Sequence, residues 1–374
     1  MTAICLLAVA GSFLLALAAT WAVRAWARRT GFIDHPGGHK THKIPMALGG
    51  GIAIFTAICA PILLVTAAAW VLHRDAGTEA ALAIPDWLPA IVRAHLSGIA
   101  SKLPHVLAIV AGALVLHIVG LIDDRRPLGP TPKFMAQIVV AAVLAGPLGM
   151  RIAEALPAAV SFALTVFWIV LIINAFNFLD NMDGLSAGVA AIAAAVFAVA
   201  AFGTGQIFIP VMAWVVVGAL LGFLVFNFSP ASIFMGDSGS MVIGYFMSLL
   251  TILTTYYDPR HGATPWGVLM PILVLAVPLY DVLSVVTHRI RAGQSPLRGD
   301  SRHFSHRLVR RGLSRRGAVL TVYLATAATA LPAILLPRLD WPGASLLMLQ
   351  CLCVVAMIAI LEHVAPPSGP EIPR

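Results

Sequence analysis

Two adjacent carboxylates, Asp123 and Asp124, stand where an apolar run (residues 106–122) meets a short basic loop, within LIDDRRPLGPTPK at residues 121–133. Placing a carboxylate at a membrane boundary is costly, and a like-charged neighbour adds to the cost. A cation is the usual remedy, and hard oxygen donors favour Mg²⁺ or Mn²⁺. The pair could equally cap a helix end and offset Arg125 and Arg126; the dipeptide alone does not separate the two readings.

Four further stretches mix carboxylate, amide, histidine and cation. Residues 31–51 carry Asp34, His39, Lys40, His42 and Lys43. Residues 174–185, NAFNFLDNMDGL, carry Asn174, Asn177, Asp180, Asn181 and Asp183. Residues 227–240, NFSPASIFMGDSGS, carry Asn227, Phe234 and Asp237, and residues 281–314 carry Asp281, Asp300, Arg302, His303 and His306. Acids with amides can hold a divalent cation, while lysine, arginine and histidine around them suit a phosphate-rich substrate. Each stretch also has a plainer reading. Single asparagines near helix ends are caps, arginine-rich loops mark topology, and His303 with His306 does not amount to a zinc site.

These residues must be positioned by apolar helices. The chain is 60% hydrophobic and 11% charged, against roughly 25% charged in a soluble domain. That composition predicts an all-α, polytopic integral membrane protein and excludes soluble and disordered classes. The net charge of +8 is read as membrane topology; no nucleic-acid partner is implied. Cys5, Cys59, Cys351 and Cys353 lie inside apolar runs, so neither a disulfide framework nor a thiolate metal site is expected.

A span needs about 20 apolar residues. Eleven runs qualify as candidates: 2–23, 48–72, 105–122, 134–150, 158–176, 185–203, 207–228, 239–257, 265–286, 317–336 and 342–362. Arg24, Arg28 and Arg29 follow the first run, which places the N-terminus outside and, by alternation, the C-terminus in the cytoplasm. With that orientation 18 of the 24 lysines and arginines are cytoplasmic, as the positive-inside rule asks. All five polar stretches then share the cytoplasmic face. The outer loop at 73–104 reads as a surface excursion, residues 365–374 as a short cytoplasmic tail, and 1–374 as one transmembrane unit.

Together the five ordered motifs resemble the polyprenyl-phosphate N-acetylhexosamine-1-phosphate transferases. The similarity runs from about residue 31 to residue 313 and is nearest to the undecaprenyl-phosphate GlcNAc-1-phosphate transferase branch. The resemblance implies transfer of N-acetylhexosamine-1-phosphate from a UDP-sugar to a polyprenyl phosphate, with release of UMP. It implies Mg²⁺, with Mn²⁺ as an alternative, and a site on the cytoplasmic face of the inner (plasma) membrane. By the same resemblance Asp123, Asp124, Lys133, His303 and His306 are the catalytic candidates. Asp237, Asn177 and Asp124 are the metal candidates, and Lys43, Asp180, Asn181, Asp183, Asn227, Phe234 and Arg302 the substrate contacts. The sequence departs from the family at Asn181, where glycine is common, and HFSH (303–306) stands where the muramoyl-pentapeptide enzymes have a compact histidine triplet, which makes the last loop more similar to the N-acetylhexosamine branch. Phospho-N-acetylmuramoyl-pentapeptide transfer and membrane transport are the alternatives, and a homodimer is left open.

Overall fold

In the computed structural model, residues 2–34, 45–75, 90–257, 263–295 and 303–364 are described. Lys43, Arg302 and the tail at 365–374 lie outside them. Each of the eleven apolar runs is helical. The order is α1 (Thr2–Thr30), α2 (Gly50–Asp75), α3 (Ala90–Ser101), α4 (Leu103–Arg125), α5 (Pro130–Ala145), α6 (Ala158–Leu179), α7 (Leu185–Gly203), α8 (Phe208–Asn227) and α9 (Asp237–Leu253). After a 3₁₀ turn at Pro265–Leu269 come α10 (Met270–Val274), α11 (Ala276–Arg291), α12 (Phe304–Arg310), α13 (Arg315–Ala333) and α14 (Trp341–Val364). Among the described residues eight helices are long and apolar enough to cross a membrane. A ninth span results if the bent pair α10–α11 counts as one, and α5 and α9 are shorter apolar helices.

Two features depart from the hydropathy reading. The stretch taken as a surface excursion contains α3, which packs on α2. The run at 265–286 is not one helix but turns by 62° at Leu275. Pro278 lacks the amide that would bond the carbonyl of Val274, and its ring crowds that turn.

Burial is graded. In α7, 72% of the central residues are buried, against 11% in α1 and 17% in α14, so α7 lies in the protein core and the other two at the periphery. Outward leucines such as Leu6, Leu7 and Leu346 suit lipid. Helices of this kind associate through close packing rather than water exclusion, and small residues allow the approach. In GALLG (218–222), side chains at Gly218 and Gly222 would collide with the carbonyls of Val9 and Phe13, so α1 lies directly on α8.

A tighter crossing joins α2, α4 and α9. A Cβ on Gly51 would lie 2.4 Å from the amide nitrogen of Gly239, and one on Gly120 would lie 2.4 Å from the backbone of Ser238. The first residues of α9 are thus wedged between two backbones. A two-stranded ribbon, β1 (Ile33–Asp34) with β2 (Met46–Ala47), extends this seam. Phe234 donates to the carbonyl of Ala47 (2.8 Å), and the amides of Gly50 and Gly51 donate to Phe234 and Met235 (3.0 Å each).

The seam predicts its own sensitivity. Gly120→Val meets backbone rather than a side chain that can yield, so it should destabilise by about 1–3 kcal/mol or more. Gly98→Ala on α3 meets nothing within 4 Å and should be neutral or gain up to about 1 kcal/mol. Thermal unfolding of the purified variants in one detergent compares them; equal melting would reject the wedge.

Candidate active site

Three helix ends and one loop deliver the acids, and the start of α5 delivers a lysine. Asp124, in the last turn of α4, accepts hydrogen bonds from the first two amides of α9, Asp237 N at 2.8 Å and Ser238 N at 3.3 Å. Those amides have no partner within their own helix, and the positive end of the helix dipole favours a carboxylate there. Gly236 makes the approach possible in two ways. Its φ is +71°, and a Cβ would sit 2.5 Å from the Asp124 carboxylate. The carboxylate therefore caps a helix, but α9 rather than its own.

Asp123 faces the other way. It accepts from Leu128 N at 2.8 Å and from Lys133 Nζ at 3.1 Å. The same ammonium lies 2.7 Å from Asp237 Oδ2, and Asn177 donates to Asp237 Oδ1 at 3.1 Å and to Ser240 Oγ at 2.9 Å. Lys133 is thus one cation shared by two carboxylates from different helices, with Asn177 holding the second oxygen of Asp237. Asp180, just beyond α6, stands with them. Burial first, then the charges of Asp237, Asp124 and Asp183, push its carboxyl well above the usual range.

A cavity of about 560 Å³ opens beside this group. Asp123, Lys133, Asn177 and Asp180 line its polar end, and Gln137 and Asn174 lie one helical turn deeper on α5 and α6. Asn174 donates to Gln137 at 2.6 Å. Phe167, Val170 and Leu171 line it further, and Val282, Val286, Arg289 and His303 bring in α11 and the start of α12.

The remaining candidates sort by where they fall. Asn181 lines the cavity and accepts from Ser305 Oγ at 2.6 Å, tying α12 to the turn after α6. Asn227 bridges Gly184 N (3.0 Å) and the carbonyl of Ile233 (2.9 Å), and Asp183 accepts from Ala231 N at 3.0 Å. These two brace the loops around the site and, like Phe234, do not line the cavity. His303 lines it, edge-on to Phe178 with ring centroids 5.6 Å apart; His306 does not. Burial, then His303, Arg310 and Arg315, push His306 down to about 4, so its ring is neutral at pH 7.

Gln137 and Arg289 were not anticipated from the sequence. Gln137 follows Lys133 by four residues, a spacing that shares one helix face. Arg289 is hidden among arginines that read as topological, yet it is buried and its guanidinium lies over Phe178 at 5.1 Å.

The donors fit a hard cation. Asp237, Asp124 and Asn177 offer oxygens, and the neighbouring carboxylates of Asp180 and Asp183 make an acidic group that a divalent ion would offset. Among the described residues no three acidic, histidine or cysteine side chains form a ready cage. That is compatible with Mg²⁺, which takes one or two carboxylates and completes its shell with water and phosphate oxygens.

Known proteins resemble the chain over most of its length. Residues 106–255 match glycosyl transferase family 4. A probable undecaprenyl-phosphate N-acetylglucosaminyl 1-phosphate transferase of Bacillus subtilis is 30% identical over 367 residues, covering 96% of this chain and 90% of that protein. The decaprenyl-phosphate N-acetylglucosaminephosphotransferase of Mycolicibacterium smegmatis is 35% identical over 370 residues, 92% of this chain and 84% of its own. An undecaprenyl-phosphate alpha-N-acetylglucosaminyl 1-phosphate transferase of Escherichia coli is 26% identical over 320 residues, 82% of this chain and 77% of its own.

Two stability measurements follow from the site. The native state holds the proton of Asp180 more tightly than the unfolded chain, so this group's contribution falls as pH rises from about 4 toward its raised native value. Asp180→Asn should therefore melt higher than wild type at pH 7, and the difference should vanish near pH 4; a lower melting point at pH 7 would refute the raised carboxyl. Asp124→Ala should cost about 1–2 kcal/mol through loss of the α9 cap, whereas Asp124→Asn should recover much of it.

Proposed function

The chain belongs to the polyprenyl-phosphate N-acetylhexosamine-1-phosphate transferases within glycosyl transferase family 4, and on that premise we propose how its site works. It transfers a sugar-1-phosphate to a polyprenyl phosphate. The donor is a UDP-N-acetylhexosamine and the second product is UMP. The carrying observation is Lys133 held between Asp123 and Asp237 at the mouth of a cavity lined by both polar and apolar side chains.

In the reaction an oxygen of the lipid phosphate forms a bond to the sugar-bearing phosphorus of the donor. The bond from that phosphorus to the oxygen bridging toward uridine breaks, and the oxygen leaves with UMP. Phosphoryl transfer depends chiefly on positioning and on offsetting charge. The acceptor is a phosphate monoester with a second pKa of about 6, mostly dianionic at neutral pH, so no strong base is required. Asp123 orients the acceptor or takes its residual proton, and Lys133 shares the charge that builds on the diphosphate. Attack by Asp123 itself through a phospho-aspartate is the second route. Asp237, Asn177 and Asp124 are the residues that would hold Mg²⁺ or Mn²⁺, which when bound supplies Lewis-acid charge stabilisation.

Topology supports the rest of the reading. With the polar helix ends in the cytoplasm, most of the lysines and arginines lie on that side. The site then meets a soluble nucleotide sugar from the cytoplasm and a lipid phosphate from the inner leaflet without carrying either across. A transporter would be expected to place its ionisable residues near mid-membrane on broken helices. Here Asp123, Asp124 and Asp237 sit at helix ends.

The test is a purified-enzyme assay with UDP-GlcNAc and undecaprenyl phosphate, following UMP and identifying the lipid by mass. Asp237→Ala and Asp123→Asn should lose nearly all turnover while remaining folded, and chelation should abolish activity until Mg²⁺ is restored. His306→Ala, neutral and outside the cavity, should lose less than about tenfold, roughly 1.4 kcal/mol. Near-normal turnover by Asp237→Ala would remove Asp237 from the site.

A further inference from the structure

Asp281 is fully buried on α11, although it belongs to no cluster among the acids already described. Both of its oxygens are committed. Oδ2 lies 2.9 Å from Nδ1 of His303, and Oδ1 accepts from the amide of Phe304 at 3.1 Å. That amide opens α12, so one carboxylate caps the short helix and grips the ring of its capping residue at the same time.

The consequence lies in the imidazole. A carboxylate can only accept, so Nδ1 carries a proton and Nε2 is the nitrogen left for the cavity that His303 lines. Phe178 meets the ring edge-on and limits its rotation. Ser305 bonds Asn181, and Arg307 bonds Ser284 on α11 at 2.8 Å, so α12 is tied to both α11 and the turn after α6. Asn181, to which Ser305 bonds, follows Asp180 on the turn after α6, and both line the cavity together with His303.

We propose that Asp281 is a positioning residue that fixes the tautomer and direction of His303, so that Nε2 meets the sugar-phosphate half of the nucleotide-sugar donor rather than the lipid acceptor. The inference rests on the proposed function, and its test separates the two. Asp281→Asn keeps an oxygen for the Phe304 amide but turns an N–H donor toward Nδ1, which selects the other tautomer.

Initial rates of the purified full chain are measured for wild type, Asp281→Asn, His303→Ala and the double variant, varying UDP-GlcNAc and undecaprenyl phosphate separately. Asp281→Asn should lower kcat/KM for the donor by about tenfold or more and shift the acceptor KM by less than about twofold. The double variant should be no slower than His303→Ala alone, because the carboxylate acts through the ring. Losses that multiply in the double variant, or that fall equally on both substrates, would overturn the proposal in favour of a purely structural tie. Should Asp281→Asn fail to fold, Asp281→Glu enters the same cycle with His303→Ala and the same two outcomes decide. A wild type that makes no lipid-linked product overturns the functional reading beneath it. An active wild type matched by Asp281→Asn overturns this inference alone.

Discussion

The contact between the Asp124 carboxylate and the first amides of α9 organises the end of the molecule that carries the site. It is short because glycine stands at 51, 120 and 236, where any side chain would push α2, α4 and α9 apart. Asp237 is the first residue of α9, so the clamp that seats the helix also aims this carboxylate at Lys133 and Asn177. Backbone contacts at van der Waals limits do not deform gradually. The position of Asp237 is therefore as rigid as the crossing beneath it.

Hydropathy made the membrane helices legible because each needs a long apolar run, a local property of the chain. It also located the polar stretches that the fold brings to one end. What stayed hidden depends on partners far away in sequence. The paired aspartates left capping and cation binding open; Asp124 does cap a helix, 113 residues distant, and no local pattern announces that. Asp281 and His303 were visible in the same polar stretch, but only the fold shows one against the other. Pro278 was visible, but a hydropathy average does not register the missing amide that turns α11 away from α10.

The site divides its polar residues between two jobs. Asn227 and Asp183 spend their hydrogen bonds on the backbone of neighbouring loops, which keeps those loops in place around the cavity. Lys133, Asn177 and Asp180 face the cavity itself. The first group needs no substrate to be satisfied. The second leaves Asp180 buried beside the charges of Asp237, Asp124 and Asp183.

The distance along the chain between Asp124 and its clamp also sets an order of assembly. At roughly 5–20 residues per second, α9 follows α4 out of the ribosome by roughly 6–23 s. Through that interval Asp124 has no amides of α9 beside it and Lys133 has no Asp237. An unpaired carboxylate is held at the water boundary by its own hydration, so the end of α4 cannot sink into the bilayer before its partner arrives. The arrival of α9 is then the event that converts a set of inserted helices into a closed catalytic end.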